Sequence, residues 1–204
     1  MAAPARRSAI LDAAMEVFAA RGYHGSSIEE IAQQAEISKA LIYEHFTSKK
    51  ELHAELLAMY VAELFGRLEA NATMGTTGEE RLRGGVDAFL AFVEENRVAF
   101  RVLFRDAADP EVAEVLAKVQ AQAVGVIAAL ISADPDGVAL RIEDEAERAS
   151  RIETHAAMLS GAVQALAAWW EENQDVSRAD LVERVMEFTW IGIEQLRAGK
   201  RVSG

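Results

Sequence analysis

Two helix-start signals stand close together between Ser26 and Phe46, and no other feature constrains the fold of this chain as tightly. Ser26-Ser27 precedes Ile28-Glu29-Glu30-Ile31-Ala32. A hydroxyl at that position accepts a bond from an otherwise orphaned backbone N–H, and Glu29 or Glu30 supplies the acid of a capping box. Ser38 repeats the signal ahead of Lys39-Ala40-Leu41-Ile42-Tyr43. A helix begun at Ser27 must end before Ser38, so the stretch predicts two short helices joined by a tight turn. Ile28, Ile31, Ala32 and Ala35 fall at helical spacing and form one buried face, while Glu29, Glu30, Gln33 and Gln34 face outward. In the second helix Ile42 and Phe46 point into the core, leaving Lys39, Ala40, Leu41, Tyr43 and His45 on other faces. This is the pattern of a helix-turn-helix whose second helix reads DNA.

The flanking sequence supports that build. Over residues 6–22, Ile10, Ala13, Ala14, Val17 and Phe18 recur at three- and four-residue steps, and Gly22 is a good terminator. Three short helices around Ile10, Val17, Phe18, Ile28, Ile31, Ile42 and Phe46 make a small core, with Tyr23 and His24 packing in the connection. Thr47 or Ser48, with Glu51, starts a long helix through Leu52, Leu56, Leu57, Tyr60, Leu64 and Leu68. Residues 71–78 read as a loop, followed by helices on either side of a bend at Asn96-Arg97. Asp109-Pro110 starts a further helix running to about Ile131, because proline's missing N–H costs nothing at a first helical position. After a break over residues 132–137, the acids 143–147 suit the positive end of a helix that reaches Trp169-Trp170. That helix is rich in small residues, and the final one, from Leu181 to Leu196, is apolar on more than one side.

The fold class is therefore all-α: a three-helix DNA-binding domain over residues 1–53 and a larger helical domain over 54–204 for ligand binding and dimerisation. With only three prolines in 204 residues, little interrupts helix. The absence of cysteine excludes disulfides, thiolate metal sites and a cysteine nucleophile. No apolar run is expected to be long enough for a membrane span, and the start Met-Ala-Ala-Pro-Ala-Arg-Arg is unlike a signal peptide, so a cytoplasmic protein is expected. A net charge of −12 weighs against DNA binding, yet residues 1–53 are near neutral and nearly all the excess acid lies beyond them. The last two helices have more apolar surface than one subunit covers, which implies a two-fold dimer closing as a four-helix bundle.

The stretch resembles the TetR family of bacterial transcriptional regulators over about residues 8–55. The agreement rests on Ala13, Phe18, Gly22 and Tyr23, on Ser27-Ile28-Glu29-Glu30-Ile31-Ala32, on Ile37-Ser38-Lys39, and on Ile42-Tyr43, His45-Phe46 and Ser48-Lys49. The resemblance implies a homodimer that sets its third helices in successive major grooves of a near-palindromic operator, with a small-molecule pocket in the larger domain. It implies that Ser27, Ser38, Tyr43 and Lys49 hold phosphates and that Lys39, Ala40, Leu41 and His45 approach base edges. Ligand binding would shift the long fourth helix and release the DNA. Three departures stand out. Glu36 occupies the turn where the family usually has glycine, so either the backbone avoids a positive φ or strain is tolerated. Ala40-Leu41 replaces the commoner Gly-Thr, and Leu41 can touch a thymine methyl without donating a hydrogen bond. Glu44 repels phosphate and fits a cytosine amino group or water.

Candidate effector contacts are the aromatic and apolar residues Phe89, Phe92, Phe104 and Met158, with Arg101, Gln120 and His155 as polar handles. No cofactor or metal is expected. His24, His45, His53 and His155 all lack a glutamate three residues earlier, and neither a zinc helix nor a phosphate-cradling glycine loop occurs, so an enzyme is not expected. The alternatives are a helical protein-interaction adaptor and an orphan regulator with no ligand.

Overall fold

In the computed structural model, which describes residues 3–72, 74–105, 110–133 and 143–197, every regular element is a helix. In order they are α1 (Ala3–Gly25), α2 (Ile28–Gln34), α3 (Lys39–Tyr43), α4 (Lys49–Ala72), α5 (Gly78–Glu95), α6 (Arg97–Arg105), α7 (Pro110–Ser132), α8 (Glu145–Trp170) and α9 (Arg178–Arg197). The predicted bend at Asn96-Arg97 falls between α5 and α6. The chain divides into two compact units, one of Met1–Leu64 with Asn96–Leu116, the other of Phe65–Glu95 with Ala117–Gly204.

Local chemistry sets the helix ends in the first unit. Inside α1, Gly22 takes φ 71°, ψ 172°, a conformation open only to glycine, and the helical run breaks there. Ser27 caps α2 and Ser38 caps α3. Ser48 accepts from the Glu51 amide at 3.1 Å, and the Glu51 carboxylate reaches back to the Thr47 amide at 2.6 Å, which opens α4 with the same reciprocal device. Ile10, Phe18, Ile31, Ile42, Leu52 and Leu56 are wholly shielded from solvent, with Phe46 beside them, and they form one core cluster. Truncating Phe18 or Phe46 to alanine in such a core costs about 3–5 kcal/mol. Ala99 and Val102 of α6 are buried in this same cluster, where α6 packs on α1.

In the second unit α5 packs against α9 and α8, burying Val86, Leu90, Phe92, Val93, Val163, Trp170, Leu181 and Met186. The buried Trp170 indole donates to the Val176 carbonyl at 2.7 Å, so its polar atom is satisfied. Arg178 at the start of α9 forks onto α5, to Asp87 at 2.9 Å and Glu94 at 2.8 Å, and Arg83 pairs with Glu183. These contacts fix the register of α9 on α5. Asp144, within the acidic stretch expected at this helix start, caps α8 by accepting from the Glu147 amide at 2.7 Å. Asp109 and most of the predicted break at 132–137 lie outside the described residues.

Helix α7 corrects one expectation. Its segment Ala113–Ser132 has a mean hydropathy of 1.7 and is long and apolar enough, by length and composition alone, to cross a membrane. Interspersed Lys118, Gln120 and Gln122 mask the run to the eye. None of the segment is buried, although Val119, Val124, Ile127 and Leu130 are partly covered.

Candidate nucleic-acid interface

The reading helix α3 is held from behind. Ile42 is fully buried, and Ser38 Oγ accepts from the Leu41 amide at 3.2 Å, so the first turn cannot fray outward. With its back fixed, α3 exposes Lys39, Ala40, Tyr43 and Glu44, and leaves Leu41 and His45 half-buried. Tyr43 is 48% exposed, an unusual position for a large aromatic. The structure thus brings the predicted readers onto one short helix and the turn directly after it. Ala40 and Leu41 present no hydrogen-bond donor of their own, so any contact they make with a base is apolar.

The predicted phosphate contacts are occupied to different degrees. Both donors of Ser27, the amide at 2.9 Å and the hydroxyl at 3.0 Å, point to Glu30 Oε2, while Glu30's amide donates back to Ser27 Oγ at 3.2 Å. Arg21 pairs with the other Glu30 oxygen at 2.7 Å and extends this clasp from α2 to α1. Lys49 donates to the carbonyls of Tyr23 at 2.6 Å and Ser26 at 3.0 Å, which ties the start of α4 to the connection between α1 and α2. Ser38 uses its hydroxyl oxygen as a cap acceptor and retains its own proton.

One feature here was left open by the sequence, and another was missed by the spacing argument. Glu36 has φ 54°, the only positive φ at a non-glycine among the described residues. The turn therefore requires the left-handed conformation, and of the two alternatives at Glu36 it is strain that holds. The other feature is an ion pair between Glu29 of α2 and Lys39 of α3, with Lys39 also 6.0 Å from the centre of the Tyr43 ring. The hydrogen bond from Lys39 is the main reason the Glu29 carboxyl lies below its ordinary range, and the same bond raises Lys39. No sequence spacing announces this pair, because it depends on the path of the turn.

The predicted effector residues are dispersed. Phe92 is a core residue with the Arg67 guanidinium 5.8 Å from its ring centre, and Phe89 is half-buried on α5. His155, Met158 and Gln120 are exposed in the second unit, whereas Arg101 is exposed in the first. The side chain of Phe104 lies outside the described residues. A cavity of about 400 Å³ between α5 and α9 is lined by Glu80, Arg83, Gly84, Asp87, Ala179, Val182 and Glu183, none of them among the predicted contacts.

An exposed α3 on an anchored helical pair, in an all-helical chain, defines a helix-turn-helix DNA-binding regulator. Residues 10–56 match the family described as bacterial regulatory proteins, tetR family, and residues 78–192 match the tetracyclin repressor-like C-terminal domain. The chain belongs to the TetR family of transcriptional regulators, whose members bind operator DNA and act as dimers. It is 31% identical to the HTH-type transcriptional activator FasR of Mycolicibacterium smegmatis over 94% of this chain and 84% of that protein. A TetR-like transcriptional regulator from Rhodococcus sp. RHA1 has the same fold, with a TM-score of 0.78 and 26% identity over 98% of this chain and all of that one. The transcriptional regulator FadR of Bacillus subtilis, crystallised in complex with stearoyl-CoA, shares the fold at a TM-score of 0.72 and 20% identity, covering 95% of this chain and 99% of that one.

Proposed function

We propose that this chain is a ligand-responsive regulator that reads a near-palindromic operator as a homodimer in the cytoplasm. The observation that carries the reading is the outward face of α3, where Lys39, Ala40 and Tyr43 stand exposed on a helix locked by the buried Ile42. Residues 1–53 read the DNA, and residues 54–204 bind effector and pair the subunits. Lys39, Ala40, Leu41 and His45 approach base edges, and Tyr43, Ser38, Ser27 and Lys49 meet phosphates. The retained proton of Ser38 suits a phosphate oxygen. Lys49 has a third ammonium proton beyond the two directed to carbonyls. Ser27 requires Glu30 to yield first.

The subunits pair through α8 and α9. Met158, Ala162, Ala165 and Trp169 form one exposed stripe at three- and four-residue steps on α8, and Phe188 of α9 is 82% exposed. For the effector we propose a long-chain acyl thioester. Support comes from the stearoyl-CoA bound to the Bacillus subtilis relative in fold and from the apolar, unburied α7. Within the second unit, Phe89, Gln120 and His155 remain its proposed contacts. Effector binding moves α4 and so favours the state with the lower DNA affinity, which relieves repression. A second reading, activation, is favoured by the activator FasR, which spans nearly the whole chain.

The test is footprinting on DNA upstream of the gene, with and without acyl-CoA. A symmetric protected site that disappears on adding acyl-CoA supports repression and release. Protection that persists while transcription rises supports activation, and the absence of any protected site sinks the DNA-reading proposal.

A further inference from the structure

Lysine on a reading helix has two fates. Left to itself, its flexible stem carries the ammonium to the nearest phosphate, a contact that every DNA sequence offers equally. Held in one direction, it can instead present its remaining protons to a base edge, and guanine O6 and N7 are the acceptors that suit it. In this protein Lys39 is held. Glu29 grips its ammonium from the first turn of α2, and the Tyr43 ring flanks it. Both members of the pair remain substantially exposed, so the grip lies on the surface that meets DNA.

The surroundings give this contact its meaning. Arg7 is paired with Glu55, Arg21 with Glu30, and Lys49 with two carbonyls, so the cations of the reading unit are broadly engaged within the chain. A cation already neutralised by a carboxylate releases fewer counterions when DNA arrives, which lowers sequence-blind affinity. Glu29 also repels the phosphates that Lys39 would otherwise reach. The pairing lowers the Glu29 carboxyl and raises Lys39, so each favours the charged form of the other.

We propose that Glu29 is a specificity-determining positioning residue, whose carboxylate withholds Lys39 from the DNA backbone and directs it to a base edge. This rests on the reading of DNA by α3 proposed above. Glu29 touches no base in this account; it acts through Lys39.

The experiment uses the full-length protein with Glu29→Gln, titrated against its footprinted operator and against a random duplex of equal length over a salt series. Glutamine keeps the shape and removes the charge. On random DNA the plot of log affinity against log salt should steepen by about one unit, since one further phosphate is contacted. The ratio of operator to random affinity should fall about tenfold. The double variant Glu29→Gln, Lys39→Gln should restore the parental slope on random DNA. Unchanged slope and ratio in Glu29→Gln overturn the proposal. A steepening that survives in the double variant also overturns it, because bulk charge rather than Lys39 is then responsible. If the parent protein shows no preference for any operator, the functional reading fails instead, and that outcome is visible before any variant is made.

Discussion

The ammonium of Lys49 lies 4.3 Å from the centre of the Tyr23 ring and donates to the Tyr23 carbonyl at 2.6 Å. A second bond to the Ser26 carbonyl closes the loop that precedes α2. Hydrogen bonds to a charged donor contribute about 1.5–3 kcal/mol when part-buried, and the ring adds a smaller cation–π attraction. Lys49→Gln should therefore lower stability by about 2 kcal/mol, read as a lower urea midpoint at unchanged m-value. On DNA its salt slope should become shallower by about one unit, as the phosphate contact proposed for Lys49 requires.

The left-handed Glu36 makes a second prediction with a clear sign. A side chain at φ 54° costs roughly 1–2 kcal/mol, and glycine removes that cost while adding somewhat less in unfolded-chain entropy. Glu36→Gly should stabilise the protein by about 0.5 kcal/mol. Glu36→Val, with its branched carbon against the backbone, should destabilise it by more than that. Thermal unfolding of the pair decides the matter: if both variants melt below the parent, the turn does not hold the conformation described.

Acid should attack the helix starts. Glu51 is held below the ordinary carboxylate value of 4.5 chiefly by the Thr47 side chain with the Thr47 amide assisting, and Glu80 chiefly by the Thr76 side chain with the amides of Thr76 and Thr77 assisting. A depressed folded-state pKa stabilises fully above the unfolded value and loses that contribution as pH falls through the lowered one. Stability should thus be flat through this effect from pH 8 to about 5 and decline below 4.5. The double variant Glu51→Gln, Glu80→Gln should show a shallower decline over the same acid range. An equal loss of unfolding free energy between pH 5 and pH 3 in parent and variant would remove these caps from the acid response.

What could be read in advance follows from the range of each interaction. Ser27 and Ser38 were legible because a cap is settled within four residues, and Ile42 and Phe46 because burial follows helical spacing. The Glu29–Lys39 and Lys49–Tyr23 contacts were not, since both depend on how a turn directs two helices. Ala99 and Val102 have the spacing of any amphipathic helix, and spacing names an apolar face without naming what it packs against. The same limit applies to His155 and Met158, which lie on the small-residue-rich α8 and stand exposed in the protomer.

Those exposed residues lead to the last prediction. Phe188 is 82% exposed, Met158 65% and Trp169 44%, on two helices whose other faces are already buried in the protomer. A single chain gains nothing by displaying three such side chains, whereas a two-fold partner covers all of them at once, because each face meets its own copy. Sedimentation of the parent protein should show a dimer at micromolar concentration. Phe188→Asp places a charge in that interface, and by symmetry it enters twice. At about 3 kcal/mol for each unpaired buried charge, the dissociation constant should rise by roughly four orders of magnitude. The substitution removes nothing from the protomer core, so helical content should be retained in the monomer. Operator affinity should fall as dimerisation is lost, since two reading helices bind a palindrome together only when the subunits are joined. A parent protein that sediments as a monomer at these concentrations would sink the α8–α9 pairing, and a Phe188→Asp dimer of undiminished affinity would move the interface elsewhere.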